Sequence, residues 1–274
     1  MLSRVAWPVF ETNIILKSLE KAVTEKRIKR ACIQALNYPQ VFTHLRNLVI
    51  AICKTSGVPI SVSCQPLSLK NIRQIAEAGA QRIGIPLDAA TRDVFDRVKG
   101  SLVEGPYDWS KQQVLLKGAV EVFGRGNVST HLIVGLGETE PEMVKAIQQC
   151  VDMGVLPALF AFTPVRGTAL EGMRQPSIQT YRRLQIARYV IVHGLARAEN
   201  MQFSSNGQIV EWDMTKEQLR QVVQTGKTFV TSGCPDCNRP YYNEKPSGPI
   251  FNFPKPLTVD ELTKVKEELA VTEQ

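Results

Sequence analysis

The chain has 274 residues, 43% apolar and 22% charged, with 33 Lys and Arg against 26 Asp and Glu, for a formal net charge of +7. That bounds it to one large α/β domain or two small ones with a real core, and no run of 18 apolar residues is present to make a transmembrane helix. The start, Met-Leu-Ser-Arg-Val-Ala-Trp-Pro, lacks the basic and apolar regions of a signal peptide, so the chain reads as cytoplasmic. Six cysteines in a reducing compartment argue for metal or catalysis over disulfides. The basic balance suits an acidic partner or anionic ligands. Its Lys and Arg are scattered along helices without a basic arm or stacked aromatics, which argues against nucleic acid.

Residues 11–26 read as an amphipathic helix, with Glu11, Thr12 and Asn13 available as caps and Ile15, Leu16, Leu19, Ala22 and Val23 at helical spacing. Arg27 to Ala35 is a short strand ending near Cys32, and residues 40–56 return to helix until Gly57-Val58-Pro59 stops it. Pro59 to Gln65 is the next strand, with Cys64 at its exit. Helix 68–79 ends on Gly79, strand Gln81 to Asp88 follows, then helix 89–99. Helix 109–123 precedes strand Val128 to Val134, and helix 140–153 stops at Gly154. Leu156 to Thr163 is an apolar strand, and helix 177–193 closes at Gly194. Strand and helix alternating at about 30 residues per unit signal parallel βαβ pairing. Five units with no dinucleotide fingerprint after the first strand favour a partial, open TIM-type βα barrel over a doubly wound sheet. Beyond Arg197 the pattern weakens to short strands at 201–203 and 227–231 and a terminal helix at 258–269. The expected organisation is a barrel over 1–226 and a cysteine-bearing tail with its helix over 227–274.

Chemistry concentrates at strand exits, whose loops build one shared mouth in such a barrel. Cys32, Cys64, Asp88, Gly135 to Glu138 and Thr163 lie at or beyond those exits and are expected to converge. In the tail, Cys234-Pro-Asp-Cys237 has the spacing with which two thiolates bite one metal centre. A complete site usually needs four ligands, and Cys32 and Cys64 are the favoured other two, from strands about 4.8 Å apart. A zinc knuckle or a disulfide is the alternative for the pair. Cys53 and Cys150 sit in amphipathic helices and read as core residues. Gly135 and Gly137 allow close approach of a ligand to the backbone ahead of a helix N-terminus, which favours a carboxylate or phosphate. Glu138 is either part of that site or an N-terminal helix acid. His131 lines the mouth or is a satisfied interior histidine. Asp88 binds a ribose or an amine, or caps helix 89–99.

Taken together, Ala31-Cys32, Val62-Ser-Cys64, Pro86-Leu-Asp88, Ile133-Val-Gly-Leu-Gly-Glu-Thr139 and Phe162-Thr-Pro-Val-Arg-Gly-Thr168 resemble biotin synthase and its relatives in the radical SAM superfamily, over most of residues 4–215. The tail Cys234-Pro-Asp-Cys237-Asn-Arg-Pro is foreign to biotin synthase and resembles the two-component lipoyl synthases. The third cluster cysteine of biotin synthase falls on Ser129 and its cluster arginine near Gln202, so neither is kept. The C-x-x-x-C-x-x-C motif of the superfamily does not occur in the sequence, and the family alignment places it a few dozen residues before Met1. The resemblance therefore implies either a sequence that begins after the cluster loop or a relative without radical chemistry, with residues 27–34 left as a sheet edge.

The resemblance also implies cofactors and partners. An auxiliary 4Fe-4S cluster would be held by Cys32, Cys64, Cys234 and Cys237 and would donate sulfur to an octanoyl chain. S-adenosyl-L-methionine would be held around Asp88, Gly135, Gly137, Glu138 and Thr163, in a closed, dry mouth. Arg239 would approach the cluster or the cofactor carboxylate, or lie in a surface turn. A lipoyl-type carrier domain or acyl substrate is the expected partner, with a second synthase subunit as a further one, and neither membrane nor nucleic acid. The competing expectations are a non-catalytic barrel that binds a carrier or partner subunit, and a biotin synthase-like enzyme.

Overall fold

A computed structural model describes residues 8–234 and 248–270. Helix α1 (Thr12–Thr24) leads into β1 (Ala31–Gln34), and βα units follow: α2 (Val41–Thr55), β2 (Ile60–Ser63), α3 (Leu69–Glu77), β3 (Arg82–Gly84), α4 (Arg92–Val98), α5 (Trp109–Phe123), β4 (Val128–Val134), α6 (Glu140–Met153), β5 (Val155–Ala161) and α7 (Ile178–Val192). Each core element of the expected alternation is present, with strands shorter than their apolar runs. Glu11 precedes α1 but makes no side-chain cap bond. α3, α5, α6 and α7 are closed by Ser68, Asp108, Thr139 and Ser177, each accepting from the backbone N–H three residues on.

The five strands pair in parallel in chain order, β1-β2-β3-β4-β5. Parallel pairing of sequential neighbours requires a crossover each time, right-handed as a rule, which leaves the helices on one face and is consistent with a singly wound, open βα barrel. Alternation along the strands then sorts the side chains. Ile60, Val62, Ile83 and Val128 pack outward with α2, α3 and α5 in one apolar cluster. In-register pairs put Cys32 beside Ser61, Ser63 beside Gly84, and Gly84 beside Ser129, on the inner face. A second cluster joins β4 and β5 to α6, α7 and the C-terminal residues Phe229, Phe251, Phe253 and Val265.

Beyond α7 the chain forms a hairpin of β6 (Gln202–Phe203) and β7 (Ile209–Glu211), then α8 (Lys216–Gln224). Neither β7 nor α8 has an apolar run long enough to announce it. The strand expected over 227–231 is instead a 3-10 turn at Lys227–Phe229 and one bridge, Val230 to Phe253. Here docking against the core outweighs β-propensity. α9 (Val259–Ala270) returns onto α7, where Arg182 Nε donates to Glu268 at 2.9 Å and Arg182 also donates to the Phe251 and Ile250 carbonyls. No helix among the described residues is long and apolar enough to cross a membrane.

Candidate functional site

Pro86 shapes the mouth. It has no N–H to give the ladder, so β3 stops at Gly84. Thr130 bridges the break, its Oγ1 donating to Ile85 O at 2.8 Å and accepting from Leu87 N at 2.9 Å. Pairing then resumes at Asp88, whose N–H donates to His131 O and whose carbonyl accepts from Ile133 N. This detour sets Asp88 at φ 69, a left-handed backbone that is uncommon outside glycine and is held at functional sites when its surroundings enforce it. Asp88 is not a helix cap. Thr91 closes α4, accepting from Val94 N, because the detour holds Asp88 too far upstream.

The carboxylate of Asp88 meets Lys99 Nζ at 2.7 Å, with both side chains mostly buried. Lys99 also donates to Pro86 O at 3.2 Å and Gln65 Oε1 at 3.4 Å, and its ammonium lies 4.9 Å from the centre of the Tyr107 ring. The Tyr107 hydroxyl accepts from Asn37 Nδ2 at 2.6 Å. These groups, with Ser63, Cys64 and His131, line a cavity of about 410 Å³ at the exits of β1 to β4. Such a volume suits a small ligand. His131 also lies against Phe160, ring centres 4.7 Å apart.

The glycine turn after β4 lies beside a second hollow of about 250 Å³, lined by Glu138, Thr139, Glu140 and the tip of the β6–β7 hairpin. Gly135 sits at φ 101, and a Cβ there would fall 2.9 Å from Pro176 Cδ. The Glu138 carboxylate clamps the turn, accepting from Gly135 N at 2.7 Å and Leu136 N at 2.9 Å. Burial pushes its pKa up in spite of those bonds. The helix acid is instead Glu142, which completes a capping box with Thr139. Gly137, at φ 108, faces Arg97, whose Nη2 would lie 3.8 Å from an added Cβ. Thr163, at the exit of β5, accepts from Gln175 Nε2 at 3.1 Å.

The cysteines separate. Cys32 is the second residue of β1 rather than its exit, exposed on the inner face. Cys234 Sγ lies 3.1 Å from the Oγ of Ser61, the in-register neighbour of Cys32. Cys64 is 3% exposed and packed in the outer apolar cluster, with its thiol pushed up to about 12 by burial. Cys237 lies outside the described residues, as does Arg239. Cys150 is buried as expected, whereas Cys53 is exposed at the far end of α2, its Sγ near the Ala78 and Gly79 carbonyls. The α2 stripe that faces the core is Leu45, Val49 and Ile52, and Cys53 falls one step off it. Among the described residues no three His, Cys, Asp or Glu side chains gather as a metal site. Among the described residues, Cys32 and Cys234 thus lie on the inner face of the sheet and Cys64 in the outer layer. Lys99 after α4 and Ser61 within β2 carry no sequence signal, and Gln65 carries none beyond nearness to a strand exit.

No protein-family model matches the sequence, and no curated protein matches it. Solved structures do. The FeFe-hydrogenase maturase HydG from Carboxydothermus hydrogenoformans superposes with a TM-score of 0.57 at 14% identity, covering 98% of this chain and 60% of that one. Another HydG structure gives 0.57 at 12% identity over 80% of this chain and 48% of that one. Methylornithine synthase (PylB) gives 0.54 at 14% identity over 82% and 73%. The chain thus spans about half to three-fifths of the HydG chains it matches. At these identities the likeness is one of fold, a parallel βα architecture shared with HydG and methylornithine synthase.

Proposed function

We propose that this chain is the barrel of a radical SAM enzyme that inserts sulfur into an acyl substrate, with S-adenosyl-L-methionine at the mouth and an auxiliary iron–sulfur cluster on the inner face. The observation that carries the reading is Cys234 against Ser61, one strand from Cys32 on the inner face. In this reading an electron from a radical-generating cluster, whose C-x-x-x-C-x-x-C motif does not occur in this sequence, would be needed for the nucleoside cofactor to give a hydrogen-abstracting radical, and the auxiliary cluster would supply sulfur. The chain's own residues do the rest. Asp88, held by its backbone and by Lys99, accepts from ligand hydroxyls. The turn from Gly135 to Glu138, with Arg97 beside it, and Thr163 hold the remaining polar edge of the cofactor.

Cys32 and Cys234 are the first two cluster ligands of the proposal, and Cys64 and Cys237 complete it. Cys64 joins only by leaving the apolar layer and ionising, as a metal-bound thiol does. The net charge of +7 suits an acidic lipoyl-type carrier domain as partner. A second reading, a barrel that serves a partner synthase subunit by docking that carrier, rests on the same charge.

The test is anaerobic reconstitution with iron and sulfide, followed by metal and sulfide analysis and S-adenosylmethionine binding by equilibrium dialysis. Bound iron and sulfide, lost in Cys32→Ala and Cys234→Ala, support the first reading. Zinc without sulfide sinks it. Cofactor binding lost in Asp88→Ala places the nucleoside at the mouth.

A further inference from the structure

One buried donor at the mouth has no use in the fold. Gln65 is 7% exposed and lines the larger cavity, and its Nε2 has no hydrogen-bond partner. Its orientation is not arbitrary. An ammonium only donates, so the oxygen of the carboxamide must face Lys99, and the amide hydrogens are left for something else. A buried donor without a partner is destabilising, and such a group calls for an explanation.

The neighbouring charge says what kind of acceptor fits. Lys99 has three N–H groups, and Gln65 Oε1, Pro86 O and Asp88 Oδ2 take all three. Its charge is balanced by Asp88, so this wall has no unpaired cation to hold an anion. The same cavity has apolar wall from Ala35, Val98 and Ile133. Exposed Leu36, Leu67 and Leu102 follow within three residues of lining side chains.

We infer that Gln65 is a specificity-determining residue of the mouth, donating from Nε2 to a neutral carbonyl oxygen of an amide- or ester-bearing apolar substrate, while the Asp88 carboxylate beside the fully used Lys99 disfavours a second carboxylate there. This rests on the proposed function, takes the acyl substrate to enter the same mouth as the cofactor, and adds the group that discriminates there.

The experiment uses the full chain and two probes of equal chain length, N-methylhexanamide and hexanoate, with dissociation constants from ligand-observed NMR. S-adenosylmethionine binding is followed in parallel. The amide is expected to bind several-fold tighter than hexanoate. Gln65→Leu is expected to weaken the amide roughly 3- to 10-fold, the size of one hydrogen bond, and to leave hexanoate unchanged. Gln65→Glu keeps the shape and the Lys99 contact but loses the donor, and is expected to lose the same preference. Unfolding curves separate this from a structural role, since Gln65→Leu removes an unpaired donor together with one long 3.4 Å acceptor of Lys99 and should change stability little. Equal binding of the two probes overturns the inference, while retained S-adenosylmethionine binding leaves the proposed function standing. Amide binding unchanged in Gln65→Leu means that Nε2 serves only a water, and a loss confined to S-adenosylmethionine gives the donor to the cofactor. Either result overturns the inference.

Discussion

Ser61 and Cys234, 173 residues apart in the chain, meet at 3.1 Å between Oγ and Sγ on the inner face of the sheet. The tail therefore reaches the strand next to Cys32, and the reactive sulfurs divide by face. Cys64 and Cys150 are buried with their thiols pushed up to about 12 by desolvation, while Cys53 is exposed. Alkylation needs thiolate, so iodoacetamide at pH 8 should modify Cys53 rapidly and spare Cys64 and Cys150 until the protein is unfolded. Peptide mass spectrometry reads this directly. Native modification of Cys64 as fast as Cys53 would contradict the outward packing of Cys64.

Asp88 offers a backbone test. Glycine is usually less stabilising than alanine because it has more conformational freedom to lose, but a left-handed position reverses the order. Asp88→Gly and Asp88→Ala both unpair Lys99, so they differ chiefly in the backbone. The glycine variant should be the more stable by about 1 kcal/mol in urea unfolding. The opposite order would remove the case for a strained mouth.

Glu140 and Arg183 are an ion pair that ties α6 to α7, both nearly fully buried. Arg183 Nε donates to both Glu140 oxygens at 3.1 and 3.0 Å, and Ile209 N donates to Oε2 at 2.8 Å, which pins the β6–β7 hairpin as well. Glu140→Ala leaves the guanidinium unpaired and should cost about 3–5 kcal/mol. A double replacement, Glu140→Leu with Arg183→Leu, should recover most of that loss, since apolar substitutes avoid desolvating two charges. Denaturant midpoints of the three proteins check it. A single-variant loss below about 1 kcal/mol would show that the pair is dispensable.

Glu138 carries a pH signature. Its folded-state pKa is raised, with burial as the largest cause, so the folded protein binds this proton more tightly than the unfolded chain does. Between the ordinary carboxylate pKa and the raised one, the unfolded state binds fewer protons, and stability falls as pH rises through that window. Glu138→Gln cannot ionise and should flatten that part of the stability–pH curve. The measurement is thermal unfolding across mildly acidic pH, and an unchanged slope would assign the effect elsewhere.

Much of the barrel is legible along the chain. Caps at Ser68, Asp108, Thr139 and Ser177 and the glycine stops at Gly79 and Gly154 are local signals, and local hydrogen bonds decide helix ends. The mouth is less so. Lys99 follows Asp88 by eleven residues on a helix whose pattern says nothing about the cavity, and Gln65 looks like any polar residue after a strand. β7 and α8 escaped because they are short and take their place from packing on α7 and the Glu140–Arg183 pair.

What the sequence determined by itself was the alternation of buried strands with amphipathic helices, and hence a parallel βα sheet, because periodicity and capping act within a few residues. The tertiary structure alone decided which face Cys32, Cys64 and Cys234 occupy and that Lys99 is already paired at the mouth. A shift of one residue along a strand reverses the side-chain direction, and a charge is satisfied or stranded only by neighbours that distant parts of the chain bring to it.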